Sequence, residues 1–159
     1  MTDLADVTSH RIEGFTNHGG GLVLNMPLFS QINPTLWMGG CPRGRAPDTV
    51  NAIVSLYPGE PYETHVGQHI AHFWMNDGDE VPAALFHAAA DLVNALRDDG
   101  TVLVHCQAGL NRSGTVAALA LMKRGMTPDE AIALLREKRD PAVLCNPTFK
   151  RWLLDGAPR

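Results

Sequence analysis

The sequence predicts an α/β fold: a single domain with a central, mainly parallel, twisted sheet flanked by helices. Three observations carry this. Short β-branched apolar runs recur along the chain, segments with apolar residues at helical spacing stand between them, and one of those segments opens with a helix-start signature. With 159 residues, 45% hydrophobic and 19% charged, the chain suffices for one domain with a substantial core.

Strands are expected near Leu36 to Met38, Ile53 to Leu56, His69 to Trp74 and Val102 to His105. Pro82 to Arg97 places Leu85, Ala89, Leu92, Val93 and Leu96 on one face and ends before Gly100, the pattern of an amphipathic helix. Ser113 to Arg124 carries Val116, Leu119, Ala120 and Met122 at helical spacing. Thr127-Pro128-Asp129-Glu130 combines a capping residue, Pro at the first helical position and Glu at the third. A helix therefore starts there and runs to about Arg139, with Ala131, Leu134 and Leu135 in the core. The sequence shows no internal repeat and no low-complexity linker.

Between the strand ending at His105 and the next helix lies Cys106-Gln107-Ala108-Gly109-Leu110-Asn111-Arg112-Ser113. A strand-to-helix turn aims successive backbone N–H groups and the positive end of a helix dipole into one concavity, which favours a bound oxyanion and a thiolate. The planar guanidinium of Arg112 can hold two oxygens of a phosphoryl group in a bidentate fork. Gln107, Ala108, Gly109, Leu110 and Asn111 let the loop curl round that group, with the Cys106 sulfur below phosphorus and Arg112 beside it. Gly109 suits a positive φ or a close backbone approach inside the curl. The Ser113 hydroxyl can donate to the Cys106 sulfur. His105, at the end of the strand, is placed to orient the loop through hydrogen bonds.

His105-Cys106, five residues, then Arg112-Ser113 resembles the signature of the cysteine-dependent protein tyrosine phosphatase superfamily, and the short chain around it is similar to the dual-specificity branch. Ile32 to Gly40 is similar to the opening strand of those enzymes, and Ala52 to Leu56 to their next buried strand. Asn146-Pro147-Thr148-Phe149 followed by Trp152-Leu153 is similar to the segment that packs their last helix. The resemblance covers residues 31–155 as a catalytic domain. Residues 1–30 are an N-terminal extension with no assigned role. The resemblance implies hydrolysis of phosphotyrosine, and also of phosphoserine and phosphothreonine, through a phosphocysteine intermediate on Cys106, with no metal or organic cofactor.

The family uses a general acid on a loop upstream of the cysteine, because the departing oxygen must be protonated as the P–O bond breaks. Phe73 to Pro82 supplies Asp77, Asp79 and Glu80, of which Asp77 is the best match to that acid and Asp79 the runner-up. Asp79 and Glu80 also suit capping of the helix that opens at Val81-Pro82-Ala83.

A net charge of −4, with 13 Lys and Arg scattered among 17 Asp and Glu, disfavours nucleic acid as a partner. The loop holds no lysine, which disfavours a polyanionic inositol lipid. A phosphorylated protein is the expected substrate. Gly109-Leu110-Asn111-Arg112 also resembles the loop of RNA 5′-triphosphatases of the same superfamily, whose leaving group needs no protonation. A silent phosphate-binding relative is a further alternative. No segment approaches a membrane span, the N-terminus lacks the pattern of a signal peptide, and three cysteines without a CxxC fit a reducing compartment. A cytoplasmic location is expected; nothing in the sequence sets an oligomeric state.

Other residues take plainer expectations. His65, His69 and His72 have a metal-like spacing on a segment that reads as loop and strand, so no metal site is expected. Cys41 and Cys145 read as buried small hydrophobes rather than partners of Cys106 in a disulfide. Trp37, Trp74 and Trp152 read as core or core rim. Arg43 and Arg45 read as a solvated loop rather than an accessory phosphate contact.

Overall fold

The structure is a computed structural model that describes residues 16–17, 23–59 and 61–159. Most of the extension Met1–Ser30 lies outside the described residues. The strands are β1 (Thr16–Asn17), β2 (Val23–Leu24), β3 (Phe29–Asn33), β4 (Leu36–Gly39), β5 (Gly44–Arg45), β6 (Ala52–Ser55), β7 (Tyr62–Glu63), β8 (His69–His72) and β9 (Val102–His105). The helices are α1 (Ala83–Arg97), α2 (Arg112–Lys123), α3 (Pro128–Lys138) and α4 (Pro147–Leu154).

β9, all four of whose residues are buried, sits at the middle of a five-stranded sheet ordered β3-β4-β9-β6-β8. Its neighbours β4 and β6 run parallel to it, as β8 does to β6, while β3 pairs antiparallel with β4. Strand alternation divides the side chains between two faces. Val102 and Val104, with Leu36, Met38, Ala52 and Val54, point to one face and enter a core to which all four helices contribute. Leu103 and Ile53 point to the other, covered by Ala46, Val50, Phe29, Trp37 and Tyr62 from the strand flanks and the β4–β8 connections. The expected sheet flanked by helices is therefore helix-covered on one face and loop-covered on the other.

α2 runs through the middle of the helical layer. It packs against α1, α3, α4 and the sheet, and every residue from Arg112 to Leu121 is buried. Gly114 makes one of these contacts possible, because a Cβ there would press Val143 at 3.1 Å and Leu144 at 3.3 Å.

Several expectations shift. The stretch Ile32 to Gly40, similar to a single opening strand, divides into the end of β3, a turn at Pro34-Thr35 and the antiparallel β4, and β3 starts at Phe29; Leu28 and Ala157, outside the span 31–155, are fully or almost fully buried. The strand expected to reach Trp74 ends at His72, and Trp74 is 56% exposed because the chain leaves the sheet there to form a loop. The inward face of α1 is Phe86, Ala89, Ala90 and Val93, and Leu85 faces out. α1 starts at Ala83 with Pro82 as its N-cap and no side-chain cap bond, so Asp79 and Glu80 do not cap it. Trp152 is core, packed on Phe86 and His87, with its indole N–H donating to Pro158 O at 3.0 Å.

The start of α3 matches the sequence pattern in full. Glu130 N–H donates to Thr127 Oγ1 at 3.2 Å and Thr127 N–H to Glu130 Oε2 at 2.8 Å, closing a capping box, with Pro128 at the first helical position. Ala131 and Leu135 are buried and Leu134 packs against the core. Among the described residues no helix is long and apolar enough to cross a membrane. Thr127→Ala is expected to lower stability by about 1 kcal/mol, read as a shift in the urea midpoint at unchanged slope.

Candidate active site

The loop after β9 is shaped by where its carbonyls go. Cys106 O accepts from His105 Nδ1 at 3.1 Å and Gln107 O from Cys41 N–H at 3.1 Å. Ala108 O and Gly109 O accept from the Arg139 guanidinium at 2.9 and 2.6 Å, and Leu110 O from Leu144 N–H at 3.0 Å. In a trans peptide C=O and N–H point opposite ways. Five carbonyls anchored outward therefore turn the N–H groups of residues 107 to 111 toward the concave side. Gly109 has φ +72°, and a Cβ on it would collide with the Gly39 backbone, so both reasons given for a glycine hold at once. Leu144 also adopts a left-handed φ of 61°, uncommon for a branched residue, while its N–H reaches Leu110.

Cys106 is 2% exposed at the floor of this loop, and its Sγ lies 3.2 Å from Ser113 Oγ. Arg112 opens α2 and folds back: its Nη1 donates to Met75 O at 3.1 Å, and its Cζ stands 5.2 Å from the centroid of the Tyr57 ring. Its buried Nε has no hydrogen-bond partner among the described residues. A buried, unpaired donor on a guanidinium is costly unless an acceptor reaches it.

His105 sits between two partners. A carbonyl can only accept, so Nδ1 carries the proton toward Cys106 O, and Nε2 accepts from Tyr62 O–H at 2.8 Å. Burial pushes the His105 pKa down to about 4 and pushes Tyr62 well above the ordinary tyrosine value, so both are neutral near pH 7.

Asp77 lies against the loop from the other side. Its Oδ2 accepts from Asn111 Nδ2 at 2.9 Å, and its Oδ1 from Asn146 Nδ2 at 2.7 Å. Asp79 makes no hydrogen bond to the loop among the described residues. The fold thus brings Cys106, Arg112, Ser113 and Asp77 together around residues 107–111. A cavity of about 270 Å³, lined by Tyr57, Pro58, Trp74, Met75, Asn76 and Arg112, adjoins them. A larger groove of about 490 Å³, lined among others by Leu28, Trp37 and Pro47, shares no residue with the loop.

The sequence pattern does not distinguish Arg139 or Asn146 as site residues. In the sequence Arg139 marks only the expected end of a helix; the signal for more is its place before Asp140-Pro141, where a helix must stop and its final side chain is free to turn inward. It is 7% exposed, and Nη1 also donates to Pro27 O at 3.1 Å and Ser30 Oγ at 3.0 Å. The sequence pattern gives Asn146 only as part of the segment similar to the one that packs the last helix. One other expectation is corrected. Cys41 is buried, but Cys145 is exposed in the turn before α4, with its thiol 3.6 Å from Asn111 Oδ1. Arg45 is solvated and pairs with Glu63 at 3.8 Å. No group of three His, Cys, Asp or Glu side chains that could hold a metal occurs among the described residues.

Residues 48–157 match the sequence model of the dual specificity phosphatase catalytic domain. The chain belongs to that family. The dual specificity phosphatase domain is that of a cysteine-dependent phosphomonoesterase within the protein tyrosine phosphatase superfamily. The chain is 32% identical over 99 residues to a tyrosine-protein phosphatase CDC14 homolog of Schizosaccharomyces pombe, covering 62% of this chain and 18% of that protein. It is 47% identical over 62 residues to human dual specificity protein phosphatase 16, covering 38% and 9%. To the mouse protein tyrosine phosphatase type IVA 3 it is 38% identical over 71 residues, covering 43% and 41%. The matches thus span less than half the length of each of these relatives. Among solved structures, human DUSP28 superposes with a TM-score of 0.72 at 22% identity, covering 82% of this chain and 93% of that one. The human tyrosine phosphatase-like serine/threonine/tyrosine-interacting protein gives 0.68 at 20%, covering 80% and 94%. These two likenesses concern the fold.

Two measurements test the loop's supports. Arg139→Ala leaves the buried Gly109 carbonyl and the part-buried Ala108 carbonyl without this donor; it is expected to cost about 3 kcal/mol in urea denaturation and to weaken binding of orthovanadate. For His105 the unfolded chain takes up a proton first, near the ordinary value of 6.5, while the folded chain resists to about 4. Stability contributed by the neutral imidazole is therefore complete above the higher value and falls as pH drops through that window. The melting temperature of the wild type should decline across it more steeply than that of His105→Gln.

Proposed function

We propose that this protein is a protein phosphatase that hydrolyses phosphotyrosine, and phosphoserine and phosphothreonine as well, through a cysteinyl-phosphate intermediate. The observation that carries it is the bond from Asn111 to Asp77 at 2.9 Å, which sets a carboxyl group over the loop that holds Cys106 and Arg112. A thiol, an arginine and a carboxyl around one anion seat are the parts needed to break a phosphate monoester whose leaving oxygen requires a proton.

In this mechanism the phosphate sits in the curl of residues 107–111. Inward N–H groups and the free Nε of Arg112 bind its peripheral oxygens, where charge spreads in the transition state. Cys106 attacks phosphorus as the thiolate, and an S–P bond forms as the P–O bond breaks in line. Asp77 gives its proton to the departing oxygen. Asp77, now a carboxylate, then takes a proton from a water that attacks phosphorus; the S–P bond breaks, inorganic phosphate leaves, and Ser113 stabilises the returning thiolate through its hydroxyl at 3.2 Å. His105 orients the loop. The chemistry uses no metal or organic cofactor.

A phosphorylated protein is the substrate class favoured by the family and by a seat open to the surface, where Asp77 is exposed. The loop lacks a lysine, which weighs against inositol lipids. Asn111, the residue behind the likeness to RNA 5′-triphosphatases, has another occupation here in holding Asp77. Three cysteines without a CxxC, the nucleophile among them, suit a reducing, cytoplasmic setting.

Hydrolysis of p-nitrophenyl phosphate and of phosphotyrosyl and phosphothreonyl peptides under reducing conditions tests this. Cys106→Ser is expected to abolish turnover, and Asp77→Asn to lower peptide kcat roughly 100-fold. Arg112→Lys should lose affinity and rate together, since an ammonium cannot make the bidentate contact. Phosphate release from 5′-triphosphorylated RNA with no effect of Asp77→Asn would replace this reading with a triphosphatase. Vanadate binding without hydrolysis of any monoester would make the protein a binding module.

A further inference from the structure

Asn146 has a role in the fold that accounts for half of its side chain. As the N-cap of α4, its Oδ1 accepts from Thr148 N–H at 2.9 Å and Phe149 N–H at 3.2 Å. Those two backbone donors fix the carboxamide orientation, since the oxygen must be the end that faces them. The amino end then points at the acid loop, where Nδ2 donates to Asp77 Oδ1 at 2.7 Å and to Gly78 O at 3.0 Å. The backbone N–H of Asn146 donates to Asn111 Oδ1 at 2.9 Å, which turns the Asn111 amino group toward Asp77 Oδ2. Ser, Thr or Asp would cap the helix as well. Only Asn among the strong capping residues also carries two donors.

We infer that Asn146 is a positioning residue for the general acid: it fastens Asp77 and its loop to the phosphate-binding loop, so that the acid is in place before substrate arrives. This rests on Asp77 being the acid, as proposed above. Asp77 is exposed and sits on a loop without regular structure, so an untethered carboxyl would sample many positions. Two amide donors, one on each oxygen, hold it by both ends. Each oxygen keeps a further acceptor site, where the transferable proton can reside. The start of α4, 34 residues or more from Arg112 in sequence, is on this account part of the catalytic apparatus.

The test uses Asn146→Ser and Asn146→Asp, both of which retain a capping oxygen, with urea denaturation to confirm that the fold is kept. Each is assayed on phenyl phosphate, whose leaving group needs a proton, and on 2,4-dinitrophenyl phosphate, whose leaving group departs without one. For Asn146→Ser, kcat on phenyl phosphate is expected to fall about tenfold, with a much smaller change on the dinitrophenyl ester. Asn146→Asp should also fall on phenyl phosphate, because an aspartate has no amide donor for Asp77 Oδ1 or Gly78 O. Equal losses on the two esters, or none, in a folded Asn146→Ser protein would overturn the inference. Asp77→Asn in the same pair of assays separates the two claims: a leaving-group-dependent loss there with none in Asn146→Ser overturns the tether alone, and its absence in Asp77→Asn overturns the acid assignment and the tether together.

Discussion

The buried guanidinium of Arg139 is the interaction on which the rest of the site depends. It reaches Ala108 O and Gly109 O in the loop and Pro27 O and Ser30 Oγ at the start of β3. Taking such a charge out of water is expensive, and burial draws its pKa down to about 10. Four hydrogen bonds in a fixed planar fork offset that cost, and a lysine could not match their geometry. The end of α3, the edge of the sheet and the anion loop are thereby held in one frame, and the loop's amides can face inward only because its carbonyls are held outward.

The second constraint is the placement of α2. A helix buried on all sides cannot tilt or slide without disturbing α1, α3, α4 and the sheet together. Arg112 and Ser113 occupy its first turn, so their positions relative to Cys106 inherit that rigidity. The sheet adds to it from below: β9 is paired on both sides, and His105 at its end is locked between Tyr62 and the Cys106 carbonyl. Arg112 and Ser113 are thus mounted on a helix packed into the core, while Asp77 sits exposed on a loop without regular structure.

The sequence was most informative where one local rule decides the structure. The Cys106 to Ser113 run, the glycine at 109 and the Thr127-Glu130 box are each set by backbone geometry or a contact within a few residues. Helix faces were less legible: α1 turns Phe86 and Ala90 inward and Leu85 outward, since α2 and α4 press on it from directions that periodicity does not encode. Least legible were residues whose task lies far along the chain. Arg139 acts across 109 or more residues on β3, and Asn146 across 69 on Asp77. A cation at a helix end and an asparagine before a proline have ordinary local explanations, and only the tertiary fold shows what else they touch.

The neutral His105 and Tyr62 pair has a consequence for how this enzyme can be studied. The groups that shape the loop keep one charge state across the working range: His105 titrates near 4, Tyr62 lies above its ordinary value, and Arg139 stays cationic to about 10. Between roughly pH 5 and pH 9, a change in rate therefore does not arise from these scaffold groups. Kinetic titration of this enzyme over that range reports on groups other than His105, Tyr62 and Arg139.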